Sequence, residues 1–282
     1  MLACQDPEEF EIVTVQSGVR SLRSRANGET FHPVIGPMAE AVALHVRQQR
    51  LVERAHKVKG PFIVWDVGLG AAANSVAVLE AFAGHPSVPV AMHSFDRTTA
   101  PLSFALEHAA VLGYPAPHAG AIERLLERGK WRNSTGTFAW YFQSGDFRET
   151  MHSAPAPHAI LYDPYSPATN PELWSLEQFR ALHGTTNPAR PCLLTNYTRS
   201  TAVRVTLMLA GFHVGLGHAT GEKDQTTIAA NGPGLLDDPL DRKWLARVRR
   251  STRAAPLRIG GAPGAISEED FAALAAHPQF TD

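Results

Sequence analysis

Short apolar runs that stop at an acid or a glycine turn constrain this chain most. Phe62-Ile63-Val64-Trp65-Asp66 lies between Gly60-Pro61 and Gly68. Val88 to Phe95 ends at Asp96, Thr137 to Gln143 leads into Ser144-Gly145-Asp146, His158 to Tyr162 ends at Asp163, and Cys192 to Thr195 is a fifth run. Runs this short and this apolar predict strands buried on both faces. Helical segments separate them: Ala71 to Ala83, Ala100 to Leu112, Ala119 to Arg128, Pro171 to Leu182 with Pro171 in its first turn, and Thr201 to Ala210. Alternation of this kind predicts an α/β fold with a mostly parallel sheet covered on both faces. Phe212 to Leu216 and Thr226 to Ala230 read as a closing hairpin, which adds an antiparallel strand at the edge or between neighbours.

Three segments follow from this pattern: an N-terminal layer (1–60), the α/β domain (61–230) and a C-terminal tail (231–282). The N-terminal layer reads as a β-hairpin over residues 10–24 around Ser17-Gly18, then one helix from Gly36-Pro37 through residue 55. The tail reads as irregular chain with one basic helix, Asp241 to Arg250. Hydrophobic residues at 44% and charged residues at 19% support a real core rather than disorder. A formal net charge of -1 excludes a dedicated nucleic-acid coat, so any such contact must come from local patches. Two exist: Arg20, Arg23 and Arg25, and the set Arg242, Lys243, Arg247, Arg249, Arg250 and Arg253. Cys4 and Cys192 offer neither a disulfide framework nor paired zinc spacing, and the thirteen histidines form no His-x-x-x-His or His/Cys set, so no metal site is expected. The opening MLACQDPEEFE lacks a basic region followed by an apolar core, and the longest apolar runs fall short of a membrane span. The expected location is cytoplasmic.

Candidate chemistry collects at the predicted strand ends. After Asp66, Gly68-Leu69-Gly70-Ala71-Ala72-Ala73 loosely meets the G-x-G-x-x-G/A pattern that lets backbone approach a nucleotide-like ligand. Asp96, at the end of the second strand, can accept both ribose hydroxyls. Asp146 can stand beside an adenine amino group, cap the helix that starts at Phe147, or do both. The most specific stretch is Asp163-Pro164-Tyr165-Ser166-Pro167-Ala168-Thr169-Asn170-Pro171-Glu172-Leu173-Trp174: an acid at a strand's C-terminal end, then a loop stiffened by proline. Gly-x-Ser-x-Gly is absent, which removes the usual serine-hydrolase reading. No acid–base His or Tyr-x-x-x-Lys set accompanies the glycine loop, which argues against a nicotinamide dehydrogenase.

Asp163 to Trp174 resembles the Asp-Gly/Pro-Phe-Ala/Ser-Pro-x-x-Asn-Pro-x-x-Trp motif in the methyltransferase domain of the MnmC family, the bifunctional enzymes of tRNA 5-methylaminomethyl-2-thiouridine biosynthesis. The glycine loop is similar to the family's Gly-x-Gly-Thr-Gly-x-Asn, keeping Asn74 but with Ala71 and Ala72 replacing threonine and the later glycine. Phe95-Asp96 resembles its Phe-Glu, Gly145-Asp146 its Gly-Asp, and Ser21 to Ser24 with Gly28 to Pro33 the region preceding the domain in stand-alone members. The resemblance covers roughly Val13 to Ala230. It implies a Rossmann-like class I methyltransferase fold, S-adenosyl-L-methionine as methyl donor, and an aminomethyl-uridine at the tRNA wobble position as acceptor. It also implies roles for residues: Asp163 and Tyr165 as catalytic; Asp66, Gly68, Gly70, Asn74, Asp96, Asp146 and Asp163 as cofactor-binding; Glu29, His32, Pro164, Asn170 and Arg23 as substrate-binding. Nothing in the chain resembles the FAD-dependent oxidase half. The implied reaction is therefore methyl transfer alone, with a separate FAD-dependent oxidase acting upstream. Two other readings stay open: methyl or aminopropyl transfer to a small amine, and a non-catalytic module that binds the cofactor or RNA.

Overall fold

In the computed structural model, a hairpin of β1 (Phe10–Thr14) and β2 (Arg20–Ser24) precedes a main sheet. That sheet comprises β3 (Phe62–Val67), β4 (Val90–Asp96), β5 (Lys130–Arg132), β6 (Phe138–Ser144), β7 (Ala159–Tyr162), β8 (Leu193–Asn196), β9 (His213–Gly217) and β10 (Thr226–Ala230). The structure describes residues 9–220 and 224–281; Cys4 and the tip of the closing hairpin at 221–223 lie outside them. Strand order is β5-β6-β4-β3-β7-β8-β10-β9. β6, β4, β3, β7 and β8 run parallel, while β10 pairs antiparallel with both β8 and β9. The fold is thus α/β with a mostly parallel sheet and a closing antiparallel hairpin. From β3 the chain moves outward to β4 and β6, then returns to β7 on the other side of β3. That reversal leaves a crevice beyond the carboxyl ends of the strands, the place where open α/β sheets bind ligands.

Alternation along β3 divides the core. Phe62 and Val64 join Leu51, Val78 and Leu161 on one face; Ile63, Trp65 and Val67 join Ile160, Tyr162 and Leu194 on the other. The second face is covered partly by the C-terminal segment. Leu240, Trp244, Val248, Leu274 and Phe280 belong to the same cluster as Trp65. The segment expected to hold one helix carries three, Arg242–Val248, Glu268–Ala275 and Pro278–Thr281. Arg242–Val248 is the expected one; the other two have apolar positions too sparse to announce helices locally, but each of the three buries a side chain.

Several boundaries differ from expectation for identifiable reasons. The helix expected from Pro171 begins at Leu176, because Ser175 caps it by accepting from the Gln178 N–H at 3.2 Å. Pro171 to Trp174 instead close the preceding loop through turns. The helix expected from Ala71 starts at Ala73, since Ala72 is left-handed (φ 63), at the place where the resembling motif has glycine. The segment from Ala100 breaks into Ala100–Glu107 and Ala109–Leu112. The single N-terminal helix is also broken: Pro37–Ala41 is α-helical, Val42–Arg47 is π-helical, and left-handed Arg50 precedes Leu51–Ala55. The wider turn brings polar residues inward. His45 Nδ1 meets Thr195 Oγ1 at 2.7 Å, and Gln49 Nε2 donates to Ile160 O and Thr195 Oγ1. β5, only three residues long, gives no apolar signal of its own.

Candidate active site

Each of the five parallel strands delivers its next residue to one cavity: Gly68, Arg97, Gly145, Asp163 and Tyr197. The cavity measures about 660 Å³, within the roughly 300–1,000 Å³ of small-molecule sites. Its other wall is the N-terminal layer, which contributes Phe10, Glu29, Phe31, His32 and Glu40. Of the residues singled out in the sequence, Gly68, Gly70, Asn74, Asp96, Asp163, Pro164, Tyr165, Asn170, Glu29 and His32 all line this cavity. Asp66, Asp146 and Arg23 do not.

Asp66 lies fully buried beneath the glycine turn and accepts hydrogen bonds from the Ser75 and Ser94 hydroxyls. Burial pushes its carboxyl up to about 7, against those two hydrogen bonds. Asp146 is the helix cap, accepting from the Arg148 N–H at 2.9 Å and pairing with Arg148 and Arg97. Hydrogen bonds from Arg148, joined by Arg97, hold it well below the usual carboxylate range. Arg23 is exposed on β2, 3.9 Å from Glu11. Neither basic cluster lines the cavity. In the C-terminal one, Arg242 donates to the Phe280 carbonyl, while Arg249 pairs with Glu268 and stacks over Phe271, so both serve to fasten the tail.

On the cofactor side, Asp96 accepts from the Gly70 N–H at 3.0 Å, which ties the end of β4 to the glycine turn. Burial pushes its carboxyl up, against hydrogen bonds from backbone N–H groups of Gly70 and Thr98. The glycines have tighter reasons than ligand approach alone. Gly68 is left-handed (φ 88), and a Cβ there would stand 2.7 Å from the Asp163 carbonyl oxygen. A Cβ on Gly70 would meet the Phe31 ring at 3.2 Å. Bare backbone at Gly68 and Gly70, a strand-end carboxylate at Asp96 and the backbone of Gly145 beside it form a set that fits an adenosyl group.

Another wall of the cavity is built by the proline loop after β7. Asp163 Oδ2 accepts from Asn74 Nδ2 at 2.8 Å, so Asn74 orients the acid. The loop itself is pinned at both ends and in the middle. Tyr162 donates to the Leu173 carbonyl, Trp174 Nε1 to the Tyr165 carbonyl at 2.8 Å, and Tyr197 to the Pro164 carbonyl at 3.2 Å. Glu29 reaches across from the N-terminal layer and accepts from Ser166 N, Ser166 Oγ and Thr169 Oγ1. Burial raises the Glu29 carboxyl, but these donors outweigh it and hold the group below its ordinary value. The Tyr165 ring packs edge-on against Phe31, and burial pushes its phenol up. It therefore stays neutral, and it lines the cavity. Sequence reading missed Tyr197, although it too follows a predicted strand. It also missed Glu40, hidden in a segment read only for its apolar face.

Residues 136–232 match the model of a family described as S-adenosyl-L-methionine-dependent methyltransferase. The chain is similar to the tRNA 5-methylaminomethyl-2-thiouridine biosynthesis bifunctional protein MnmC of Ectopseudomonas mendocina, 25% identical over 256 residues, covering 85% of this chain and 37% of that protein. The MnmC of Ralstonia nicotianae is 28% identical over 244 residues, covering 81% and 34%. The chain thus spans little more than a third of the length of these curated relatives. The crystal structure of MNMC2 from Aquifex aeolicus superposes with a TM-score of 0.70 at 24% identity, covering 96% of this chain and 86% of that one. Residues 136–232 thus resemble an S-adenosyl-L-methionine-dependent methyltransferase in sequence, and the chain shares the fold of MNMC2. Over most of its length the chain is similar in sequence to MnmC.

Proposed function

We propose that this methyltransferase transfers a methyl group to the amine of an aminomethyl-uridine at the wobble position of tRNA, in the cytoplasm. The observation that carries the acceptor chemistry is Asp163: a carboxylate at the strand end, oriented by Asn74 and facing a cavity walled by a clamped loop. A primary amine is protonated at neutral pH and cannot attack a methyl carbon until it loses a proton. The Asp163 carboxylate holds the ammonium and accepts that proton, while Tyr165, Pro164 and Asn170 align the nitrogen. Bound S-adenosyl-L-methionine supplies the electrophilic methyl, with its adenosyl part held by Gly68, Gly70 and Asp96. Neither a covalent enzyme intermediate nor a metal is required by this arrangement. The similarity to MnmC supports tRNA as acceptor, and on this reading a separate FAD-dependent oxidase supplies the free amine. Exposed Arg20, Arg23 and Arg25, with Lys243, Arg250 and Arg253, supply cations for phosphates. Incubation with labelled S-adenosyl-L-methionine and either bulk tRNA or a panel of small amines tests the reading. Label in a wobble uridine is expected; label only in small amines, or in nothing despite bound cofactor, overturns it.

A further inference from the structure

His32 stands in a row with two carboxylates. Its Nε2 is 3.9 Å from Asp163 Oδ2, and its Nδ1 is 3.8 Å from Glu40 Oε2. Glu40 is 5% exposed, lines the cavity, and its Oε2 has no hydrogen-bond partner. A buried carboxylate oxygen without a donor is costly, so its retention here calls for a group that comes to it. His32 itself is held at φ 48, a conformation non-glycine residues seldom adopt and one that clusters at functional sites. Resting on the functional reading above, we propose that His32 and Glu40 form the path by which the acceptor's proton leaves Asp163.

Passage through this row requires the His32 tautomer that carries its hydrogen on Nδ1, toward Glu40, and presents the Nε2 lone pair to Asp163. In the reaction the ammonium gives one proton to Asp163. The freed nitrogen lone pair forms the N–C bond as the S–C bond breaks with its pair going to sulfur. Asp163 then passes the proton to His32 Nε2, the Nδ1 proton moves to Glu40, and Glu40 releases it to solvent when product leaves. Contacts of 3.8 and 3.9 Å must shorten by about 1 Å for transfer, as catalytic hydrogen bonds commonly do once substrate is bound. The titratable groups facing the row are Tyr197 after β8, Glu29 in the same loop as His32, His45 from the π-helical turn, and Asp66 of β3, which faces Asp163. Burial, with His32 adding, pushes His45 down to about 3, so His45 stays neutral and does not compete for the proton.

The test is single-turnover methyl transfer to tRNA by wild type, His32→Gln, Glu40→Gln and the double variant from neutral pH upward, with cofactor affinity measured alongside. Each single variant is expected to be slower by at least about tenfold at neutral pH, below the ~10²–10⁴-fold of a direct acid–base group. The deficit should shrink as pH approaches the free amine's own range, the double variant should be no slower than the slower single, and cofactor affinity should hold. Glu40→Gln at the wild-type rate, or a deficit equal at every pH, overturns the relay. Should Glu40→Gln fail to fold, His32→Gln carries the same pH comparison. A wild-type chain that labels no tRNA overturns the functional reading and the relay together, whereas active wild type with unaffected variants overturns the relay alone.

Discussion

One glycine and one buried acid make the residue-scale case. The space at Gly68 is set by protein, not only by ligand: a Cβ would press on the Asp163 carbonyl and on Pro164 Cα at 3.0 Å, at a φ that L side chains resist. Gly68→Ala should therefore displace the proline loop and depress methyl transfer much more than it lowers the melting temperature, as paired turnover and thermal-melt measurements would reveal. Asp66 makes a second prediction with a definite sign. Its folded-state pKa, about 7, lies above its ordinary 3.8, so the fold binds this proton more tightly than the unfolded chain does. Its contribution to stability is fully present below 3.8 and lost as pH rises through about 7. Asp66→Asn keeps the neutral form at all pH, so its stability relative to wild type should improve as pH rises from 5 to 8, by on the order of a few kcal/mol. Denaturant midpoints across that range measure it; a constant difference would show that Asp66 does not titrate there. This acid was legible as a strand-end residue but not as a buried one. Asp66 points to the same face as Phe62 and Val64, where Ser75 and Ser94 meet it, while the chain turns away at left-handed Gly68.

Among the elements, the loop from Asp163 to Trp174 does most to shape the site, and the sequence made it readable because proline, asparagine and tryptophan crowd one strand end. Its clamp was not readable. Glu29 lies more than a hundred residues away in sequence, and only the fold brings it to Ser166 and Thr169. The folded-state pKa of Glu29 is depressed, so its stabilisation is present above the ordinary 4.5 and is lost as pH falls through the lower folded value. Glu29→Gln should raise the KM for the acceptor, and its melting temperature should fall below wild type near neutral pH, with the gap closing in acid. A gap independent of pH would mean the carboxylate charge is not what holds the loop. The π-helical turn was equally hidden. His45, Gln48 and Gln49 look like a solvent face in a regular helix, whereas the wider turn buries them.

At the scale of the whole molecule, the parallel order of β6, β4, β3, β7 and β8 places five strand ends around one cavity, and the N-terminal layer closes it. The alternation of strands and helices was evident from hydrophobic pattern because each parallel strand is buried on both faces. The C-terminal cover was not, since its few apolar residues matter only once they meet Trp65 and its neighbours. Trp244→Ala should cost about 3–5 kcal/mol and lower the denaturant midpoint of the main unfolding transition. A loss confined to local fraying of the tail would contradict its place in that core. The central claim is that a cofactor-dependent methyl transfer takes place at Asp163. Its most direct test is single-turnover transfer of labelled methyl to tRNA by Asp163→Asn beside wild type, with cofactor affinity measured on both. The prediction is transfer slowed by about 10²-fold or more in the variant at saturating cofactor; transfer at the wild-type rate would contradict it.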